Sequence, residues 1–231
     1  MTTPDDDPPI AFDDAAATAS YADRTRRLVP GWADLQTMAT ILVAERAPAD
    51  ARVLVVGAGG GVELKAFADA HAGWRFAGVD PSAPMLEMAK ATLAEAAARV
   101  DFHEGYVRTA PEGPFDAATC LLTMHFVPVD QRLPTLKEIH RRLKPGAPFV
   151  MAHMSFAQEP DERRTWLARY AAFATASGVD PVSARRAATM IGTSLPLVGP
   201  DAEEALLAEA GFGGTRVFYA GLAFRGWVAR A

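Results

Sequence analysis

Four glycines and one alanine, Gly57, Ala58, Gly59, Gly60 and Gly61, separate the apolar stretch VLVV at 53–56 from VELKAF at 62–67, which has helical spacing. Glycine lets a chain bend sharply and lets another group come close to the backbone. The exposed N–H groups at a helix start, with the positive end of the helix dipole, attract anionic or polar groups. A tight turn with no ligand would also use glycines, so the turn alone leaves two readings open. Asp80 favours the first. It closes the next apolar stretch, 23 residues after Gly57, where a carboxylate can accept hydrogen bonds from both hydroxyls of a ribose. Gly57, Gly59 and Asp80 together predict a slot shaped for a nucleoside. Two histidines, His125 and His153, follow later apolar stretches and are candidate general bases. A lone histidine can equally be a packed or capping residue. The remaining His, Asp and Glu residues lack ligand spacing, so no metal is expected.

The elements that would position these groups alternate. RVLVV, WRFAGVD, VDFHE, FDAATCLLTM and APFVMAHMS read as five strands. VELKAFADAH, APMLEMAKATLAEAAA and VDQRLPTLKEIHRRL read as the helices between them, the last in spite of Pro134 and stopped by KPG. Such alternation predicts βαβ units and a parallel sheet covered on both faces. Two helical stretches at 11–48 precede the sheet, and residues 159–195 carry helical signal with little strand signal. DAEEALLAEAGF then reads as a helix, and GTRVFYA with LAFRGWVA reads as a hairpin joined at Gly221. The expected organisation is an acidic, disordered tail at 1–10, one domain over 11–231, and a helical cap at 157–198. Trp166, Tyr170, Phe173 and Ser177 share one face of the cap, which is either a packing face or a lid over an acceptor pocket.

Composition narrows the function. Half of the 231 residues are hydrophobic, enough for one sizeable core. No apolar run is long enough to span a bilayer. The net charge is −5, with five aspartates and no Lys or Arg in the first 14 residues. A near-neutral body argues against nucleic acid as a partner, and Arg24, Arg26 and Arg27 read as a solvated helix face. The start of the chain lacks the basic and apolar regions of a secretory signal, and Cys120 is the only cysteine, so a cytoplasmic location is expected. The glycine turn also discriminates among cofactors. A dinucleotide fingerprint needs Gly or Ala where Val62 stands. S-adenosyl-L-methionine has a carboxylate and an ammonium in place of a pyrophosphate and is the expected ligand.

VLVVGAGGG, GVDPSAPMLEMAK, FDAATCLLTMHFV and LKEIHRRLKPGAPFVM resemble the successive motifs of class I S-adenosylmethionine-dependent methyltransferases, and the terminal hairpin resembles their antiparallel seventh strand. Over nearly the whole chain there is a narrower resemblance, to the carboxy-S-adenosylmethionine synthase branch, which makes a carboxylated cofactor for the modification of wobble uridines in tRNA. The resemblance implies a doubly wound, seven-stranded, mostly parallel α/β sheet with N-terminal helices and a helical cap after the fifth strand. It implies that the backbones of Gly57, Ala58 and Gly59 contact the methionine moiety and that Asp80 holds the ribose. Pro81 would flank the adenine, Tyr106 and Val107 would border its edge, and Leu121 would lie beside the methyl group. Tyr21 and Trp32 would close over the cofactor or acceptor, and a homodimer is implied. Four positions depart from the narrower branch: Leu206 stands where it has an arginine for the extra carboxylate, Leu121 for an asparagine, Tyr106 for an aspartate and Trp32 for a tyrosine. Leucine cannot make arginine's bidentate grip on a carboxylate. The expected activity is therefore methyl transfer to a small-molecule acceptor. The alternatives are synthesis of the carboxylated cofactor, or cofactor binding without transfer.

Overall fold

A computed structural model describes the backbone of residues 21–231 and side chains from Arg24 onward. The expected acidic tail and the start of the first helical stretch lie outside the described residues, as does the Tyr21 side chain. Helix α1 (Tyr21–Leu28) and helix α2 (Trp32–Ala44) lead into strand β1 (Arg52–Val56). Then follow α3 (Val62–Ala70), β2 (Arg75–Asp80), α4 (Ala83–Leu93), β3 (Val100–Glu104), β4 (Ala117–Leu121), α5 (Val129–Arg141) and β5 (Pro148–Met154). After β5 come α6 (Pro160–Ala176), α7 (Pro181–Ser194) and α8 (Pro200–Glu209), and the hairpin β6 (Gly213–Gly221) and β7 (Phe224–Arg230). Proline opens the first turn of α6, α7 and α8, where the N–H it lacks would have no helical partner.

The strands form one seven-stranded sheet in the order β3-β2-β1-β4-β5-β7-β6. The pairs from β3 through β5 are parallel, and β7 runs antiparallel to both β5 and β6. The sequence of β1 explains its central place. Val53 and Val55 enter the core on one face of the sheet, and Leu54 and Val56 enter the core on the other. A strand buried on both faces needs such a continuous apolar run. One face is covered by α1 to α4 and the cap helices, the other by α5 and α8. The chain goes from β1 outward to β3 and returns to β4, so the order reverses between β1 and β4. Such a reversal opens a crevice at the carboxyl ends of the strands.

The structure trims several expected elements. The long helix after β2 ends at Leu93, and Ala94, with φ 50, starts a tighter 3-10 turn to Arg99. Strand β4 ends at Leu121 because Leu122 is left-handed, with φ 55. The helical region after β5 is two helices. Gly178, with φ 89, breaks it, and Asp180 restarts it by accepting the Ser183 N–H at 2.8 Å. The feet of this cap are joined: Ser155 Oγ donates to the Val198 carbonyl at 2.9 Å. At its tip, Arg27 Nη1 donates to the Gly178 carbonyl at 3.5 Å. Among the described residues, no helix is long and apolar enough to cross a membrane.

Candidate functional site

The glycine turn crosses the top of β1 beside the end of β2. Gly57 and Ala58 both donate their N–H groups to the Val79 carbonyl, at 2.8 and 3.0 Å. Gly57, Gly59 and Gly61 all have positive φ, at 78°, 45° and 79°, a region that glycine enters without strain. Two of them also make room for neighbours. A Cβ on Gly57 would overlap the Thr123 side chain, and one on Gly61 would stand 2.7 Å from Ala89 Cα of α4. Gly59 differs. A Cβ there would meet only the terminal methyl of Met85, at 3.3 Å, and the Gly57 carbonyl, so its backbone can be approached by a ligand.

Asp80 ties the turn to the next helix. Its Oδ2 accepts the Gly59 N–H at 2.9 Å and its Oδ1 accepts the Ser82 N–H at 3.0 Å. Burial raises its pKa above the ordinary aspartate value, against the lowering by those two N–H groups. Each carboxylate oxygen has further lone pairs. The carboxylate can thus hold the turn and still accept from a ligand hydroxyl.

Across the crevice, β4 delivers Leu121, buried, and then the left-handed Leu122, whose N–H donates to the Ala152 carbonyl at 2.5 Å. A leucine in that region is strained, and such strain gathers at functional edges. Thr123 Oγ1 donates back to the Leu121 carbonyl at 3.0 Å. The other positions singled out in the sequence surround this crevice unevenly. Val107 is buried on the α5 face. Tyr106 is half-buried, with the Arg108 guanidinium 4.9 Å over its ring. Pro81 is exposed. Trp32 is buried in the core on the α2 face, beneath the Arg26 guanidinium at 5.0 Å.

His125 and His153 lie together, their ring centres 6.3 Å apart, inside a buried polar network in which His153 Nδ1 and Glu203 Oε2 have no partner. His125 sits in the 3-10 turn 124–126, and its Nδ1 accepts the Met154 N–H at 3.4 Å. Burial first, then His153 and Arg132, hold its pKa well below the usual histidine value. The ring is neutral, and with Nδ1 accepting, its proton is on Nε2. His153 is fully buried, and its Nε2 pairs with Glu203 Oε1 at 2.9 Å. Arg132 Nη1 donates to the same oxygen. Arg132 also donates to the Val127 carbonyl at 3.2 Å and to the Pro196 carbonyl at 2.6 Å. Arg132 and Glu203 have no exposed side-chain surface. The network joins α5, β5, α8 and the exit of the cap.

Comparison with known proteins bears on this geometry. Residues 53–146 match the family model of the methyltransferase domain. That span runs from β1 through α5 and holds the glycine turn and Asp80. The match covers less than half of the chain and is a likeness to class I methyltransferases over that span. S-adenosylmethionine is the cofactor of that family, and the approachable Gly59 backbone and the Asp80 carboxylate fit it. Among curated proteins, the chain is similar to the carboxy-S-adenosyl-L-methionine synthase of Chromohalobacter salexigens, 26% identical over 94% of this chain and 82% of that protein. The synthase of Campylobacter lari is 27% identical over 60% of this chain and 59% of that one. Among solved structures, phosphoethanolamine N-methyltransferase 2 of Haemonchus contortus has a TM-score of 0.67 at 14% identity, covering 96% of this chain and 58% of that one. Human N-acetylserotonin methyltransferase has a TM-score of 0.57 at 17% identity, covering 92% and 58%. The chain thus spans less than two thirds of the length of these solved structures, which share its fold.

Of the four buried Arg and Glu residues among the described residues, none singled out in the sequence, Arg142 closes α5 and the other three are Glu63, Arg132 and Glu203. Glu63, Arg132 and Glu203 each sit four residues ahead of a fully buried apolar side chain on their own helix, Phe67, Leu136 and Leu207 respectively. Residues four apart share a helix face, so that spacing was the signal for burial. Leu206, where the synthase branch has its arginine, packs against the apolar cluster of α5 and α8.

Proposed function

We propose that this chain transfers the methyl group of S-adenosylmethionine to a small-molecule acceptor, with residues 11–231 working as one unit. One observation supports this above the others: within a methyltransferase domain, Asp80 bridges the glycine turn and the start of α4 at the point where the strand order reverses. S-adenosylmethionine supplies an electrophilic methyl group on a sulfonium. The chain supplies position and exclusion of water. Gly57, Ala58 and Gly59 offer backbone to the methionine end, and Asp80 accepts from the ribose. Pro81, Tyr106 and Val107 border the adenine. Leu121 lines the reacting end, and Trp32 closes it from the N-terminal side. His125 and His153 would serve as bases only after rearrangement, because His125 Nε2 carries a proton and His153, paired with Glu203 through Nε2, has no exposed surface from which its Nδ1 could meet an acceptor. An acceptor that needs no general base suits this arrangement. The single buried cysteine suits a reducing cytoplasm, and the resemblance over the C-terminal region supports a homodimer, which light scattering at micromolar concentration would test.

The test is calorimetric titration with S-adenosylmethionine. Wild-type protein should bind it, and Asp80→Ala should weaken binding by about 1.5–3 kcal/mol, the scale of hydrogen bonds to charged groups. Unchanged affinity in the variant would remove the ribose assignment.

A second reading, synthesis of a carboxylated cofactor, draws on the curated relatives that cover 94% and 60% of the chain. Leu206 weighs against it, because an apolar side chain leaves an added carboxylate unpaired. Competition between the two cofactors decides: the wild-type protein should prefer S-adenosylmethionine, and Leu206→Arg should narrow that preference.

A further inference from the structure

The first turn of α3 buries an acid with no counter-charge. Glu63 is 6% exposed and follows the glycine turn by two residues. Side chains on a helix lean toward its N-terminus, which for α3 is the direction of the glycine turn. It stands beside the Thr119 hydroxyl of β4, close enough to feel it, but neither Glu63 Oε1 nor Thr119 Oγ1 has a partner at hydrogen-bond geometry.

The surrounding elements offer no cation. On α3 itself, Lys65 pairs with Asp69 on the exposed side. On α4, Lys90 pairs with Glu87, also exposed. Helix α2 brings an exposed Asp34 and the buried amide of Gln36, whose Oε1 is likewise without a partner. Strand β2 brings Asp80, engaged by Gly59 and Ser82. Strand β1 has only Arg52, at its exposed far end, and β4 has the Cys120 thiol, itself pushed up by burial. Desolvation therefore dominates, and the Glu63 pKa rises to about 8. The side chain is a neutral acid at neutral pH.

A buried carboxyl with a free oxygen is costly unless something completes it. A glutamine would fill the same volume without the ionisation. What an acid adds is the ability to become an anion when a cation arrives, and the ligand of this turn has a cationic end. We propose that Glu63 is the counter-charge for the α-ammonium of the cofactor's methionine end, received at the glycine turn. The proposal rests on the reading that this turn takes S-adenosylmethionine. The balance is simple. The carboxyl proton leaves to solvent, the ammonium keeps all three of its protons, and the pair that forms is carboxylate with ammonium.

Calorimetry at pH 6.5 in two buffers of different ionisation enthalpy tests this, with S-adenosylmethionine, S-adenosylhomocysteine and 5′-methylthioadenosine as probes. The third has the nucleoside and sulfur but no ammonium. Wild-type protein should release about one proton on binding either of the first two and none with the third. Glu63→Gln should bind the first two at least roughly tenfold more weakly, release no proton, and bind 5′-methylthioadenosine within about twofold of wild type. Equal weakening of all three, unchanged affinity, or proton release that persists in the variant would overturn the assignment. If the variant fails to fold, wild-type proton release that is equal for all three probes overturns it, and release confined to the two amino-acid probes supports it. Failure of wild type to bind any probe would overturn the cofactor reading and this proposal with it, whereas wild-type binding without proton release overturns only the role of Glu63.

Discussion

Glu63 and Glu203 are both buried near the start of a helix, four residues ahead of a buried apolar side chain, yet they meet opposite surroundings. Glu203 is held by Arg132 and His153, and its cost of desolvation is offset by an ion pair and a hydrogen bond. Glu63 has a hydroxyl beside it and no cation, so it stays protonated to about pH 8. The difference teaches what burial of a charge-bearing group is for. A paired carboxylate joins elements of the fold, here α8 to α5 and β5. An unpaired one keeps a protonation state in reserve, here in the first helical turn after the glycines.

The largest effect should come from breaking the paired site. Arg132→Ala leaves Glu203 buried without its cation and should cost about 3–5 kcal/mol in urea unfolding. The double replacement Arg132→Met with Glu203→Leu should recover most of that loss. A double variant as unstable as the single one would mean that the charges do more than join elements. Next comes Glu63→Gln. The folded-state pKa of Glu63 is raised, so its contribution to stability is fully present below about pH 4.5, the ordinary value, and is lost as pH rises through about 8. The glutamine variant lacks this titration. The stability difference between wild type and variant should therefore shift by about 2 kcal/mol in the variant's favour between pH 5 and pH 9, after allowance for water entering the ionised site. A difference that stays constant with pH would place Glu63 among the ordinary paired acids. The smallest effect belongs to Thr119→Val. It preserves volume, removes a hydroxyl with no partner and takes away the one group that lowers the Glu63 pKa. Stability should change by less than about 1 kcal/mol, while the titration of Glu63 moves upward in pH. A downward move would contradict the account of its surroundings.

The sheet was legible because its signal is local. VLVV, short, β-branched and stopped by glycines, reads as a strand buried on both faces, and the reversal after three such units follows from the resemblance of the motifs. The glycine turn and Asp80 were legible for the same reason, since backbone conformation and a carboxylate at a strand end are written in a few consecutive residues. The histidine network was not. It depends on Arg132 and Glu203, 71 residues apart, and a charged residue in a helix reads as solvated unless its i+4 neighbour is weighed. The left-handed Leu122 was also hidden, because a leucine gives no local warning of positive φ. It is held there by the Ala152 carbonyl of the adjacent strand. Gly178 did carry a warning, but a helical stretch interrupted by one glycine has the same composition as a continuous one.

The helical cap is a clasp with both feet on one plate. Ser155 at its entry is bonded to the Val198 carbonyl at its exit, and Arg132 grips Pro196 from below. A body clamped at its base turns as one piece or not at all. Its far tip, at Gly178, is joined to α1 by the 3.5 Å bond from Arg27, and α6 packs along α1 beside it. Replacing Arg27 should therefore loosen the tip of the cap and leave its clamped base in place.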